Sequence, residues 1–433
     1  MSNHSSHHAS YDASSFARVA VRPVSILLPS TEVPAETWAC VACDQFTSEP
    51  EYWEKADRIA GENPSALRLI LPECYLKESA VRVPVIHRAM ADYLSRGILT
   101  EAVSDGFILC ERTLAGGTRL GLIAGVDLEQ YSFEKGSLPL VRPTEQTIAS
   151  RLPARLEIRR GAPVELTHIM ILIDDPDRTV LEPLREKKAS LRPLYDFDLM
   201  LSGGHLAGWA VESGEDLDRV SRALNALAEG KGEHPLLLAV GDGNHSLATA
   251  KASWEEIKKT LSPEERETHP ARWALCEIVN IHDTALLFEP IHRLLRPVNR
   301  EALLSAWREY AAARGMALSS GKTGPHCFTL LSGGREETLT VEHPEGTIPC
   351  ETLQLFLDDY LQKHPETEID YIHGDASLKT LSAAEDALGF LLPPIDKGSF
   401  FRDVEKLGVL PRKTFSMGEA NEKRYYMEAR KIL

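Results

Sequence analysis

The sequence predicts an α+β protein, with mixed sheets and helices in a large globular chain. Three observations lead there. Strand-like apolar runs and segments with helical spacing both recur along the chain. They follow one another without a strict strand–helix–strand alternation. Two pairs of runs return on themselves around glycine-containing turns, as hairpins do.

The elements read in order as follows. An apolar strand occupies residues 19–28. Helical spacing follows at 49–60 and at 85–95, the second just after Pro84, which a helix start tolerates. Runs at 107–114 and 119–126 flank Ala115-Gly116-Gly117-Thr118, a hairpin signal. The run 168–173 ends at Asp174-Asp175-Pro176 and reads as a buried strand. A helix at 217–229 is stopped by Gly230-Lys231-Gly232. Strands follow at 273–281 and 285–288, then a helix at 301–314 ended by Gly315. A second hairpin spans 328–331 and 338–341 around Ser332-Gly333-Gly334-Arg335. Helices at 351–363 and 378–388 precede a short strand, Phe390-Leu391-Leu392, closed by Pro393-Pro394. Pro297 to Arg300 marks a boundary. The expected division is a disordered tail at 1–15, a main domain at 16–299 and a C-terminal α+β part at 300–433 packed on it.

Composition narrows the function. The 433 residues carry a formal net charge of −16, which disfavours a nucleic-acid or anionic-membrane binder, since these need a basic surface. No apolar run reaches the ~18 residues that span a bilayer. Seven cysteines, an odd number, suggest no disulfide framework and fit the cytoplasm. Cys40 and Cys43 form a Cys-x-x-Cys pair, but no second pair completes a zinc site, so no zinc is expected there. His4, His7 and His8 in the tail are not expected to form a functional site.

The richest stretch is Leu236-Leu237-Leu238-Ala239-Val240, a buried-strand pattern running into Gly241-Asp242-Gly243-Asn244-His245-Ser246. A helix follows, with Leu247, Ala250, Trp254, Ile257 and Leu261 at helical spacing and Pro263 past its end. An acid, an amide, an imidazole and a hydroxyl thus crowd into one strand-to-helix turn. The ordinary alternative is that Asp242 or Asn244 caps the helix and the glycines make the turn. The density of reactive groups exceeds what a cap needs. Glycines also let a ligand approach closely, and a helix start suits an anion such as phosphate.

Other polar clusters sit at element ends. Arg142-Pro143-Thr144-Glu145-Gln146-Thr147 precedes a basic stretch with Arg151 and Arg155. Asp283, Pro290-Ile291-His292-Arg293, Tyr371-Ile372-His373-Gly374-Asp375 and Pro411-Arg412-Lys413-Thr414-Phe415-Ser416 complete the set. Singly, each reads as a solvated turn or structural ion pair. Ser320-Gly321-Lys322-Thr323 imitates the end of a P-loop, but Gly315 is one residue too far upstream and Gly324-Pro325 follows where a helix should start.

The order of these motifs resembles an uncharacterised bacterial and archaeal family, number 1015 among the domains of unknown function. That family carries a strand followed by Ala-Asp-Gly-His-His-Arg-Tyr-x-Thr-Ala, matched at residues 240–250. Its His-Glu-x-Thr and following Arg match Thr144-Glu145-Gln146-Thr147 and Arg155. Its Pro-x-His-Arg matches Pro290-Ile291-His292-Arg293, and its Phe-Leu-Leu-x-Pro and Pro-x-Lys-Ser/Thr match Phe390 to Pro394 and Pro411 to Thr414. Asp44 and Asn63-Pro64 match near the start, so the resemblance runs from about residue 20 to 433. Three positions depart from the pattern: Thr144 and Asn244 stand where the family has histidine, and Ser246 where it has arginine. The turn is also similar, in one short motif, to turns of the ParB/sulfiredoxin fold. That likeness implies a related core around residues 242–245 and nucleotide binding, since some members are free-serine kinases.

The resulting expectation is a cytoplasmic enzyme that binds a nucleotide or phosphorylated small molecule at the turn, for phosphoryl transfer or phosphate-ester hydrolysis. Asp242 holds a divalent cation such as Mg²⁺ or acts as base. Gly243 and Asn244 present backbone N–H groups, His245 contacts phosphate or shuttles a proton, and Ser246 bonds the ligand. Arg155, Arg293 and Lys413 neutralise charge, Glu145 is a second carboxylate, and His292 lines the same cavity. The alternative is a non-catalytic regulator binding a nucleotide or partner protein at the same turn. Substrate and oligomeric state are left open.

Overall fold

A computed structural model describes residues 11–147, 152–321, 324 and 326–433. His4, His7 and His8, Arg151, and Lys322-Thr323 of the P-loop look-alike lie outside the described residues. The chain forms two compact units. The first runs to Leu286 and takes up Glu419–Leu433; the second is Leu287–Gly418. The break thus falls at residue 287 rather than 300, and the last fifteen residues return to the first unit.

The first unit is built on a mixed sheet. In spatial order its strands are Val141–Pro143, Leu238–Asp242, Met170–Ile173, Trp273–Asn280, Gly117–Asp127, Leu99–Leu114, Val24–Pro29, Ala429–Lys431 and Val164–Leu166. The strands Val164–Leu166 and Met170–Ile173 stand far apart in this order, yet only Thr167, His168 and Ile169 separate them in sequence. The sheet therefore curls back, and this segment closes it. Three bonds hold the closure against Trp273–Asn280. Thr167 Oγ1 donates to the Leu275 carbonyl (2.6 Å), Leu275 N–H donates to the Glu165 carboxylate (2.9 Å), and Glu277 N–H donates to the Ile169 carbonyl (2.9 Å).

Both faces of the sheet are covered. Phe107 and Leu109 enter one core while Ile108 and Cys110 enter the other. A strand buried on both sides needs a continuous apolar run, which is why 107–110 is legible in the sequence. The hairpin Leu99–Leu114/Gly117–Asp127 turns on Ala115-Gly116, as expected. The hairpin Arg192–Asp198/His205–Val211 and the helix Leu152–Arg159 were not expected. The helix expected at 85–95 begins at Ser79, with Pro84 inside it. The proline forfeits only its own N–H bond near the helix start, so the helix tolerates it. Residues 11–15, expected to be disordered, pack on the helix Gly214–Ala228: Asn225 Nδ2 donates to the Ser15 carbonyl (2.9 Å), and the Ser221 and Ser15 hydroxyls bond at 2.7 Å.

One cluster of buried charged side chains inside this unit comprises Arg112, Arg119, Glu277, Arg424 and Glu428. Arg119 Nη2 lies 3.6 Å from Glu277 Oε1, and Arg424 Nε lies 3.3 Å from Glu277 Oε2. Arg424 also pairs with Glu428, which accepts the Tyr195 hydroxyl. Burial pushes the Glu277 carboxyl up, but Arg119 and Arg424 outweigh it and hold it below its usual range. Gly121 makes the room, since a Cβ there would lie 2.3 Å from Glu277 Oε1.

The second unit has its own sheet, in the order Ala317–Ser320, Arg335–Glu342, His326–Ser332, Leu388–Leu391, Phe288–Arg296, Glu368–His373, with Phe415–Met417 added to Phe288–Arg296. Helices Arg300–Ala312 and Pro349–Lys363 pack through Trp307, stacked on Phe356 with centroids 4.9 Å apart. Two expectations change. The strand read at 285–288 is the longer Phe288–Arg296, so Pro290-Ile291-His292-Arg293 lies within a strand. The helix read at 378–388 is Asp375–Leu381, and Leu388 opens a strand. Leu378 and Leu388 are both buried, and burial alone does not set the period.

No helix among the described residues is long and apolar enough to cross a membrane. All seven cysteines are free.

Two predictions follow from these interiors. Glu277→Ala leaves Arg119 and Arg424 buried without their shared partner, so stability should fall by about 3–5 kcal/mol, read from urea denaturation. An unchanged midpoint would show that the cluster does not hold the unit together. The second concerns His292, which is buried; its Nε2 is 2.9 Å from Asp375 Oδ1 and its Nδ1 accepts the Leu392 N–H at 3.2 Å. Burial outweighs Asp375 and lowers its pKa below the ordinary 6.5. The unfolded chain then takes up the proton first as pH falls, so stability is full above about 6.5 and declines below it. His292→Gln should flatten that decline between about pH 7 and pH 5 in denaturation measured against pH.

Candidate functional site

The strand Leu238–Asp242 lies between Val141–Pro143 and Met170–Ile173, with Leu238, Ala239 and Val240 buried. Its end carries Asp242 into the turn. Gly243 follows with φ +80°, the left-handed region, and a Cβ there would lie 3.1 Å from Ile169 Cα. Glycine is required on both counts. The helix Asn244–Ile257 starts directly after it, and no side chain caps that start. The first N–H groups of a helix have no acceptor within it, and they carry the positive end of its dipole.

Neither Asp242 nor Asn244 is the cap. Asp242 Oδ1 accepts the Gly243 N–H at 2.9 Å, and Oδ2 faces Lys423 Nζ at 3.4 Å. Asn244 is buried and reaches sideways to Thr144: its Oδ1 accepts the Thr144 N–H at 3.1 Å, and its Nδ2 lies 3.4 Å from Thr144 Oγ1. Thr144 Oγ1 in turn donates to the Val240 carbonyl at 2.5 Å. Two of the three departures from the family pattern are therefore bonded partners. They tie the strand Val141–Pro143 to the turn, with the half-buried Glu145 next in sequence.

Ser246, the third departure, meets His168. The Ser246 hydroxyl lies 2.7 Å from His168 Nε2, and His168 Nδ1 lies 3.0 Å from the Tyr426 hydroxyl. Tyr426 also accepts the Cys43 N–H at 3.2 Å. These groups line a cavity of about 140 Å³ together with Leu69, Leu71, Leu76, Met90, Ile158 and Leu166. Arg155, on the helix Leu152–Arg159, lines it too and pairs with Glu73. Burial pushes the Cys43 thiol up to about 12 and raises the Cys40 thiol as well.

The expected site residues thus fall into two groups. Asp242, Gly243, Asn244, His245 and Ser246 form one turn, joined to Glu145 through Thr144; Arg155 shares the cavity with Ser246. His245 is half-buried and takes the Thr249 hydroxyl on its carbonyl (2.7 Å). His292, Arg293 and Lys413 belong to the second unit. Arg293 is buried there, donating to the carbonyls of Ile291 (2.6 Å), Lys413 (3.0 Å) and Arg412 (3.3 Å) and to Gln354 Oε1 (3.0 Å). Its guanidinium organises the unit's own backbone. Lys413 contributes that carbonyl from a left-handed residue, φ +56°. Among the described residues no three metal-ligating side chains cluster.

Sequence reasoning missed Lys423, His168, Tyr426 and Glu73. These residues meet the turn only through long-range contacts, which no local pattern announces.

Fold and turn together define an α+β protein with an uncapped helix start beside an apolar cavity. The chain belongs to the DUF1015 family, described as proteins of unknown function, whose model matches residues 21–360. The motifs at Phe390 to Pro394 and Pro411 to Thr414 lie beyond that match. No curated protein matches the sequence. Similar solved structures include a free serine kinase in complex with AMP (11% identity, 70% of this chain and 90% of that one, TM-score 0.38). They also include a conserved hypothetical protein from Pyrococcus furiosus (12%, 70% and 90%, 0.34) and SbnI with a C-terminal truncation from Staphylococcus aureus (10%, 68% and 83%, 0.34). Likenesses of this size carry no functional assignment.

The Thr144–Asn244 link is testable. Asn244→Ala leaves the Thr144 N–H buried without its acceptor, at a cost of about 1–3 kcal/mol. A double-mutant cycle with Thr144→Val isolates the Nδ2–Oγ1 contact and should give a coupling of at least about 0.5 kcal/mol; strict additivity would show that this side-chain contact contributes nothing.

Proposed function

We propose that this chain is an enzyme that binds a phosphorylated small molecule or nucleotide at residues 242–246 and transfers or hydrolyses its phosphoryl group. One observation carries the reading: a fourteen-residue helix begins, without a side-chain cap, at a left-handed glycine, and Lys423 is held beside it by Asp242. Backbone N–H groups and a nearby ammonium are what a phosphate needs. The family arginine replaced by Ser246 would have supplied positive charge here, and Lys423 supplies it instead.

In this reading Gly243 gives the turn its left-handed bend, Asn244 and Ser246 present N–H groups to the phosphate, and His245 contacts it. Asp242 positions Lys423, and its carboxylate would hold a divalent cation such as Mg²⁺, which would neutralise phosphate charge. Glu145 is the second carboxylate of the turn, and Arg155 adds charge in the cavity. The likeness to ParB/sulfiredoxin turns is one of motif and is not a premise. Seven free cysteines support a cytoplasmic setting, and the acidic chain supports a small ligand over nucleic acid.

The test is a thermal-shift screen of the purified chain against ATP, ADP, AMP and small phosphorylated metabolites, with turnover measured on the hits. A ligand at a hundred times its dissociation constant adds about 2.7 kcal/mol of stability. Asp242→Asn should melt like the parent without ligand and lose the ligand-induced shift, since shape is kept while the charge is removed. A variant that still gains the full shift would show that the turn is merely structural. A shift without turnover would make the chain a binding protein.

A further inference from the structure

The Ser246–His168–Tyr426 chain has a direction. The Tyr426 oxygen accepts the Cys43 N–H at 3.2 Å. We assign His168 the tautomer in which its Nδ1–H donates to the Tyr426 oxygen, 3.0 Å away. His168 Nε2 is then left with a lone pair aimed at the Ser246 hydroxyl, 2.7 Å away. A nucleophile bonded to a base whose far side is fixed by a third group is the arrangement that activates a serine. The hydroxyl opens on a cavity whose other lining is mainly apolar, and it sits in the first turn of the uncapped helix. In the family pattern this position is an arginine, so the pairing belongs to this chain.

We propose that Ser246 is the covalent phosphoryl acceptor of the reaction proposed above, on which this inference rests, and that the substrate is a phosphate monoester of an alcohol with an apolar body. Ser246 Oγ attacks phosphorus while its proton passes to His168 Nε2. The bond from phosphorus to the alcohol oxygen breaks, and His168 returns the proton to that oxygen. Water then attacks the phosphoserine, giving its proton to His168. The bond from phosphorus to Oγ breaks, Oγ regains the proton, and inorganic phosphate leaves. The helix N–H groups and Lys423 balance the phosphoryl charge, and the apolar cavity holds the leaving group. Tyr426 is a positioning residue that acts through the imidazole.

The probe is p-nitrophenyl phosphate with the full chain, acid-quenched and read by intact mass and peptide mapping. The expected result is one phosphoryl group on Ser246 and a burst of p-nitrophenol matching the enzyme concentration. Ser246→Ala should carry no phosphoryl group, and His168→Gln should acquire it at least about 100-fold more slowly. Both should keep the thermal shift induced by inorganic phosphate. Ser246→Thr, which keeps the hydroxyl, should still be labelled, so a folding defect in the alanine variant is distinguishable from loss of the nucleophile. Tyr426→Phe should slow labelling without weakening the phosphate-induced shift. Unchanged turnover in Ser246→Ala, a phosphoryl group mapped elsewhere, or none on the parent chain overturns the inference. If phosphate still shifts the melting temperature in that case, the phosphate-binding reading stands alone; if it does not, both fall.

Discussion

The first unit depends on the ion pairs around Glu277. This carboxylate sits inside the curled sheet and faces Arg119 from a neighbouring strand and Arg424 from the end of the chain. Charges taken out of water are tolerated only when paired. The pairing therefore dictates that the C-terminal segment return from the second unit and thread the interior of the first. Arg112 reinforces this by donating to the carbonyls of Asn421 (3.1 Å) and Lys423 (3.2 Å) and lying over the Tyr425 ring. The short strand Tyr425–Tyr426 then pairs with Cys40–Val41.

That threading delivers the site. Lys423 precedes Arg424 and meets Asp242; Tyr426 follows two residues later and meets His168. Both contacts are spaced about a buried arginine whose own position is dictated by Glu277. The other half comes from the sheet closure. The bend Thr167-His168-Ile169 is pinned by Leu275 and Glu277, and it presents His168 to Ser246 while Ile169 packs on Gly243. The strand Trp273–Asn280 thus supports both His168 and Lys423 at the turn, although none of its side chains lines the cavity.

This explains what was legible in the sequence. The strand, the glycine turn and the amphipathic helix at 236–261 are local, and their residues announce themselves through apolar period and turn chemistry. The α+β class was legible for the same reason. What was not legible is long-range. Lys423 meets Asp242 across 181 residues and Tyr426 meets His168 across 258, so no local pattern could join them. The motif Pro290-Ile291-His292-Arg293 misled in the opposite way. Its charged pair suggested a site, yet Arg293 is saturated by carbonyls of its own unit. A buried arginine serving backbone and one serving a ligand look alike until their acceptors are known.

The three departures from the family pattern form a consistent set. Thr144 and Asn244 face each other, so replacing two histidines by two smaller polar residues keeps a hydrogen-bonded contact in a space of lower volume. A single replacement would have left either a gap or a buried polar group without its partner, both costly. Ser246 follows the same direction: where a long guanidinium would fill the space before His168, a hydroxyl leaves the imidazole in contact with the cavity. Positive charge at the turn comes from Lys423, delivered from the far end of the chain and held by Asp242. The turn thus draws its cation from the C-terminal segment and sets a serine against a histidine.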